Sequence, residues 1–352
     1  MITHSRQIHF EGEGAGIPGA DASSLTPWLP RRPLHLPDGH PFGQSDVLAG
    51  RRVLVVGGNG FIGRHIVQQV HAAGAEVGIF DMAAAGQPDD DIEQIVGSVA
   101  DTTLLASSVA AFDTVIFLAN SSLPGSANTD LASEVAAHVE VSIKAAEICN
   151  AQGVRRFVFA SSGGTVYGFD SETPLSEDMK TLPRNAYGVS KLAIEHYLRI
   201  LATMRELRTV SLRISNPYGE GQRALRNQGF IAAAMQHAIT GKPMQIWGDG
   251  TVERDFIHVA DVASAFVAAC TAEDPPEICN IGSGRALSLI EVLGMVERAL
   301  GREVPRVFKP GRAIDVKRNV LDISRAGATL DWQPQIDMDT GLKRTAAWWS
   351  CH

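Results

Sequence analysis

The stretch that most restricts the fold runs from Arg52 to Gly63. Arg52-Val53-Leu54-Val55-Val56 is a short apolar run behind basic residues, as expected of a parallel strand buried on both faces of a sheet. Gly57-Gly58-Asn59-Gly60-Phe61-Ile62-Gly63 follows at once, and Arg64 to Ala73 reads as a helix. A strand, a glycine turn and a helix in succession form a phosphate cradle. The glycines admit backbone to a pyrophosphate, and the helix N-terminus supplies amide donors and the positive end of a dipole. The next strand, Glu76 to Phe80, ends at Asp81. A carboxylate there accepts hydrogen bonds from an adenosine ribose and repels a 2'-phosphate, so the pattern favours NAD over NADP.

The alternation continues beyond that unit. Strands are expected at 95–98, 114–120, 156–161 and 209–215, with helices at 103–111, 131–150 and 186–204. Such a βα series specifies an α/β protein with a Rossmann-type, doubly wound parallel sheet. From Asn216 onward the order breaks into loops, helices and short strands, which predicts a smaller α/β C-terminal substrate domain. Residues 1–50, rich in proline and glycine, read as an irregular extension. The expected division is therefore 1–50, 51–215 and 216–352, with some late segments returning to the first domain.

Composition bounds the partners. A chain of 352 residues with 45% hydrophobic and 20% charged content has room for two ordinary globular domains. Its formal net charge of -8 argues against nucleic acid or an anionic membrane as main partner, so an anionic ligand must be met by local cations. Cys149, Cys270, Cys279 and Cys351 have neither metal-ligand spacing nor a disulfide pattern, which suits reduced thiols in a cytoplasmic protein. No apolar run is long enough for a membrane span, and no apolar signal core opens the chain.

Chemistry enters with Tyr187-Gly188-Val189-Ser190-Lys191. At i and i+4 on one helix, a phenol and an ammonium share a face and can meet one bound molecule. A neighbouring cation favours phenolate, which makes Tyr187 usable as a general acid or base. Upstream, strand 156–161 opens into Ser161-Ser162-Gly163-Gly164-Thr165-Val166-Tyr167-Gly168. Hydroxyls at that carboxyl end face the crevice where a doubly wound sheet binds ligands.

The glycine turn, the serine-bearing strand end and Tyr187-x-x-x-Lys191, in this order, resemble the extended short-chain dehydrogenase/reductase family. More narrowly the chain is similar to its nucleotide-sugar epimerases and dehydratases, of the UDP-glucose 4-epimerase type. The resemblance begins near residue 51 and reaches the C-terminus. It implies cofactor contacts from Gly57, Gly60, Phe61, Ile62, Gly63 and Asp81, from Leu118 and Ala119 at the end of strand 114–120, and from Tyr187 and Lys191. Ser98 and Val99 stand where the family meets adenine, with serine in place of the usual Asp. Downstream, Leu212-Arg213-Ile214-Ser215-Asn216-Pro217-Tyr218-Gly219, Arg254-Asp255-Phe256-Ile257-His258-Val259 and Arg312-x-x-Asp315 resemble the family's sugar-nucleotide segments. They imply that Asn216, Arg254 and Arg312 contact the diphosphate and Asp315 the uridine ribose. Asn319, seven beyond Arg312, would border the sugar's C2 substituent.

Departures select the reaction. The dehydratases carry an Asp-Glu pair, and the decarboxylases a Glu, just before Val-Tyr-Gly; here Gly164 and Thr165 stand there. Oxidation and reduction at one carbinol remain. The expectation is an NAD-dependent 4-epimerase of a UDP-hexose or UDP-N-acetylhexosamine, with a 4-keto-nucleotide-sugar reductase as the alternative and a non-catalytic dinucleotide-binding protein as a remote one. Lys191 would hold the nicotinamide ribose and lower the Tyr187 pKa. An accompanying hydroxyl is expected from Ser162 first and Thr165 second, because an ungapped count places Gly163 at the usual serine. The family resemblance also implies a homodimer through helices 131–150 and 186–204, where Ala193, Ile194, Tyr197 and Leu198 would suit the helix bundle.

Overall fold

The computed structural model describes residues 46–84, 91–120, 127–224, 229–312 and 316–351. Most of the N-terminal extension and Asp315 lie outside the described residues. In chain order the first half runs β1 (Arg52–Val56), α1 (Phe61–Ala72), β2 (Glu76–Asp81), β3 (Glu93–Val96), α2 (Thr102–Val109), β4 (Thr114–Phe117) and α3 (Leu131–Glu134). After a π-wound stretch, Val135–Glu140, come α4 (Val141–Ala151), β5 (Arg156–Ser162), α5 (Gly163–Val166), α6 (Ala186–Met204) and β6 (Arg208–Ile214). The second half holds β7 (Asn216–Tyr218), α7 (Phe230–Thr240), β8 (Met244–Trp247), β9 (Glu253–Arg254), β10 (Phe256–His258), α8 (Val259–Thr271) and β11 (Ile278–Ile281). It closes with β12 (Leu287–Ser288), α9 (Leu289–Leu300), β13 (Arg306–Lys309), β14 (Arg318–Asn319), α10 (Ser324–Leu330) and α11 (Met338–Cys351).

Seven parallel strands form one sheet in the order β11-β6-β5-β4-β1-β2-β3. The order reverses at β1, between β4 and β2, and opens a crevice at the strands' carboxyl ends. Each strand serves both faces with a period of two. Val53 and Val55 join Ile66, Val67 and Phe266 on one side, whereas Leu54 and Val56 join Phe117, Phe157 and Ile194 on the other.

The first face is closed from the far half of the chain. Helix α8, buried along nearly its whole length, packs against α1, and β11 adds the seventh strand beside β6. A separate core gathers Tyr218, Ile231, Met235, Ile246, Val296 and Leu342. The ordered body begins earlier than residue 51. Leu48 is buried and its N–H donates to Ala73 O at 2.9 Å, so residues 46–50 are docked and not part of an irregular tail.

Two further expectations change. The helix foreseen at 131–150 is interrupted by the π-wound stretch. There the usual amphipathic pattern is inverted: Leu131 and Val135 are 62% and 55% exposed, while Glu134 and His138 are 5% and 2% exposed. On α6, Ile194 and Leu198 belong to the sheet's own core and Ala193 is half-buried, which leaves Tyr197 outward.

Candidate active site

The glycine turn is a close approach of three backbone segments. Gly57 has φ +85° and its N–H donates to Phe80 O at 2.8 Å. A Cβ on Gly57 would lie 3.1 Å from Ala119 N, and one on Gly63 would lie 2.3 Å from Gly57 O. Side chains are therefore excluded where α1 presses on the turn. Gly60 is the N-cap of α1 and brings no side chain to the first amides of the helix. Asp81 accepts from Asn59 N–H at 2.9 Å and Met82 N–H at 2.7 Å; burial raises its pKa, against the pull of those amides. These features fit a dinucleotide: a turn in which glycines let the backbone come close, a helix N-terminus capped by a glycine for the pyrophosphate, and a carboxylate at the end of β2.

Around that cradle the expected contacts separate. Phe61, Ile62 and Leu118 line the cleft, and Ala119 meets Gly57 through its backbone. Ser98 and Val99 follow β3; the Ser98 hydroxyl accepts from Ala100 N–H at 3.2 Å, and Val99 packs on the core. Sequence reasoning missed Arg64. Its buried guanidinium donates to Asn59 O at 3.0 Å beneath the turn, and burial together with Arg223 lowers its pKa to about 10.

Helix α6 begins where Asn185 Oδ1 accepts from Gly188 N–H at 2.8 Å. Gly188 lies so close to the α5 turn that a Cβ there would meet Thr165 O at 2.7 Å, which seats the start of α6 beside that turn. Lys191 is buried, donates to Ala160 O at 2.8 Å, and stands 4.6 Å over the Phe159 ring and 5.4 Å over the Tyr187 ring. Burial lowers its pKa to about 7, while Glu134 and Glu195 act in the opposite sense. The phenol of Tyr187 departs from expectation. Burial first, and Glu134 second, hold it above its usual value, so the chain's own groups do not supply the lowering foreseen from Lys191.

At the carboxyl end of β5 the backbone turns into α5. Ser162 and Thr165 both reach the cleft, and Thr165 Oγ1 has no partner among the described residues. Gly163 faces the core, where a Cβ would lie 2.5 Å from Leu321 Cδ1. Gly163 is not among the residues that line the cleft, whereas its neighbours Ser162, Gly164 and Thr165 are.

Across the cleft, Asn216 Nδ2 donates to Asp255 O at 2.8 Å and Arg254 Nη1 to Val316 O at 2.8 Å. Arg312 stands 5.5 Å over the Trp247 ring. Asn216, Arg254 and Arg312 border the same cleft, of about 1140 Å³, as Tyr187 and Lys191. Asn319 is buried on β14, its amide donating to Gly163 O at 3.2 Å, and is not among the residues that line the cleft. Asn120, Gln222, His237 and Trp247 line the cleft unforeseen; only Asn120, following β4, carried a usable signal, namely its place at a strand's carboxyl end.

The model of a family described as "NAD dependent epimerase/dehydratase family" matches residues 53–282. A dTDP-4-dehydro-6-deoxyglucose reductase of Escherichia coli is 32% identical over 83% of this chain and 95% of its own. A UDP-glucose 4-epimerase of Mycolicibacterium smegmatis is 31% identical over 84% of this chain and 97% of its own. Among solved structures, the Thermus thermophilus UDP-glucose 4-epimerase in complex with NAD is similar. It superposes with a TM-score of 0.79 at 30% identity over 85% of this chain and 99% of that one.

Proposed function

We propose, for a chain that belongs to the NAD-dependent epimerase/dehydratase family of extended short-chain dehydrogenase/reductases, the activity of a nucleotide-sugar 4-epimerase acting on a UDP-hexose or UDP-N-acetylhexosamine. The observation that carries this reading is the convergence on one cleft of the glycine turn, the Tyr187–Lys191 pair and two arginines. NAD, when bound, supplies the acceptor and donor of hydride. Tyr187 takes the proton of the C4 hydroxyl as that carbon becomes a ketone, and returns it when the carbinol re-forms in the opposite configuration. Ser162 bridges the substrate oxygen and the phenol, with Thr165 as the second candidate. Lys191, whose pKa is lowered to about 7, would hold the nicotinamide ribose. Arg254 and Arg312 neutralise the diphosphate on a chain of net charge -8. With Gly164 and Thr165 at the end of β5, the chain offers no acid there for elimination or decarboxylation.

In this reading the seven-stranded sheet carries the cofactor and the separate C-terminal core carries the nucleotide. Leu131 and Val135, with Val189, Tyr197, Ile200 and Met204 on α6, are exposed apolar residues on neighbouring helices. They suit a homodimer formed through those helices.

A reductase of 4-keto nucleotide sugars is the second reading, favoured by the Escherichia coli relative. The deciding experiment incubates purified protein with UDP- and dTDP-sugars and follows products by NMR, with Tyr187→Phe alongside. The epimerase interconverts sugars without added cofactor, and Tyr187→Phe is inactive. Absolute dependence on added reduced cofactor selects the reductase.

A further inference from the structure

Between Leu131 and His138 the side chains of Glu134 and His138 turn inward while those of Leu131 and Val135 turn outward, the reverse of a surface helix. Glu134 and His138, four residues apart, belong to a segment that packs against α6, and neither borders the cleft. The His138 ring lies nearly parallel to that of Tyr187, at 9° with centroids 6.3 Å apart. Glu134 Oε1 and His138 Nε2 are buried without a hydrogen-bond partner among the described residues. Unpartnered buried polar atoms cost stability, and π-winding such as that at Val135–Glu140 recurs at functional sites. Helix geometry alone therefore gives no reason for a glutamate and a histidine here.

Among the described residues, the charged and titratable groups facing the Tyr187–Lys191 pair are Glu134 and His138 from this segment and Glu195 from α6; β5 offers the Ala160 carbonyl and the Phe159 ring. Glu195 is already committed. Arg213 Nη2 donates to it at 2.7 Å and Nε at 3.0 Å, and the Ser161 hydroxyl donates to it as well. His138 is held neutral by burial and by Lys191, with its pKa lowered to about 3. Glu134 is left as the uncommitted acid.

We infer that Glu134 is a positioning residue for the reaction proposed above: its buried carboxyl group, beside His138 and against α6, makes the Lys191 ammonium and the Tyr187 phenol hold their protons to higher pH than the same site would without it. The inference rests on the reading of Tyr187 as the acid–base group, and a negative charge behind the pair acts on both members in the same sense. Removing it lets both protons leave more easily. In Glu134→Gln, the acid and alkaline limbs of the kcat profile both move to lower pH, by about one pH unit. A second readout needs no substrate. In NAD-loaded protein, phenolate absorbance assigned to Tyr187 by difference from Tyr187→Phe begins at lower pH in Glu134→Gln than in the parent. Glu134→Asp restores part of the shift, and His138→Gln, which removes no charge, leaves the onset in place. Should Glu134→Gln fail to fold, the onset in Glu134→Asp, moved part of the way, decides in its stead. Limbs and onset that stay put while turnover falls equally at every pH overturn the inference. If no nucleotide sugar is turned over, the functional reading fails while the phenolate onset still decides the role of Glu134.

Discussion

Two buried clusters of the same residue types share helix α6, and only one is saturated. In the first, Glu195 accepts from Arg213 and Ser161, and Tyr167 donates to Asn280 Oδ1 at 2.8 Å while accepting from Arg213 at 3.1 Å. Asn280 Nδ2 in turn donates to Leu175 O at 2.8 Å. Hydrogen bonds and charge from Glu195 outweigh burial and raise the Arg213 pKa. In the second cluster, Lys191 has one carbonyl, Glu134 and His138 have orphaned atoms, and burial lowers the Lys191 pKa to about 7. Tyrosine, cation and carboxylate occur in both. Saturation makes the first a fixed strut; incomplete saturation leaves the second with protons to exchange.

Paired substitutions test that contrast. Tyr187→Phe should cost about 10²- to 10⁴-fold in turnover with little change in unfolding midpoint. Tyr167→Phe should do the reverse, losing about 1–3 kcal/mol in urea unfolding with the turnover of the folded fraction kept. Equal losses of turnover would dissolve the distinction. Next in size, Arg213→Met leaves Glu195 buried without its cation and should cost about 3–5 kcal/mol. A loss below about 1 kcal/mol would mean that the strut is not built as described.

The last test is a pH dependence at Lys191. Its pKa falls from 10.5, the ordinary value of a lysine amine, to about 7 in the fold. Between those values the unfolded chain binds the extra proton, so parental stability rises with pH across the window. Lys191→Met abolishes that rise. Its melting temperature relative to the parent should therefore be higher near about pH 6 than near about pH 9, as read by calorimetry; a constant difference would refute a Lys191 whose pKa the fold lowers.

What the sequence disclosed was local. The glycine turn, Asp81 and the Tyr187–Lys191 pair depend on spacings of a few residues, and the bounds of α6 were read from its pattern alone. Steric facts between distant segments were out of reach. Gly163 faces Leu321 and the Asn319 amide donates to Gly163 O, contacts between segments more than 150 residues apart that no local spacing encodes. The π-wound stretch was invisible for another reason: an outward Leu131 and Val135 with an inward Glu134 read as an ordinary helix turned about its axis. Similarly, Ile278–Ile281 resembled any short apolar run until β6 was seen beside it.

The return of β11 and α8 to the sheet has a consequence for synthesis. A nascent chain that has emerged only as far as Ile214 holds six of the seven strands, but the surface that α8 will cover on α1 still faces water. Closure waits for roughly the next seventy residues to leave the ribosome, an unusually non-local completion for a βα series. During that interval the half-built sheet is a natural client for chaperones, and a chain truncated near residue 215 would meet the same fate permanently.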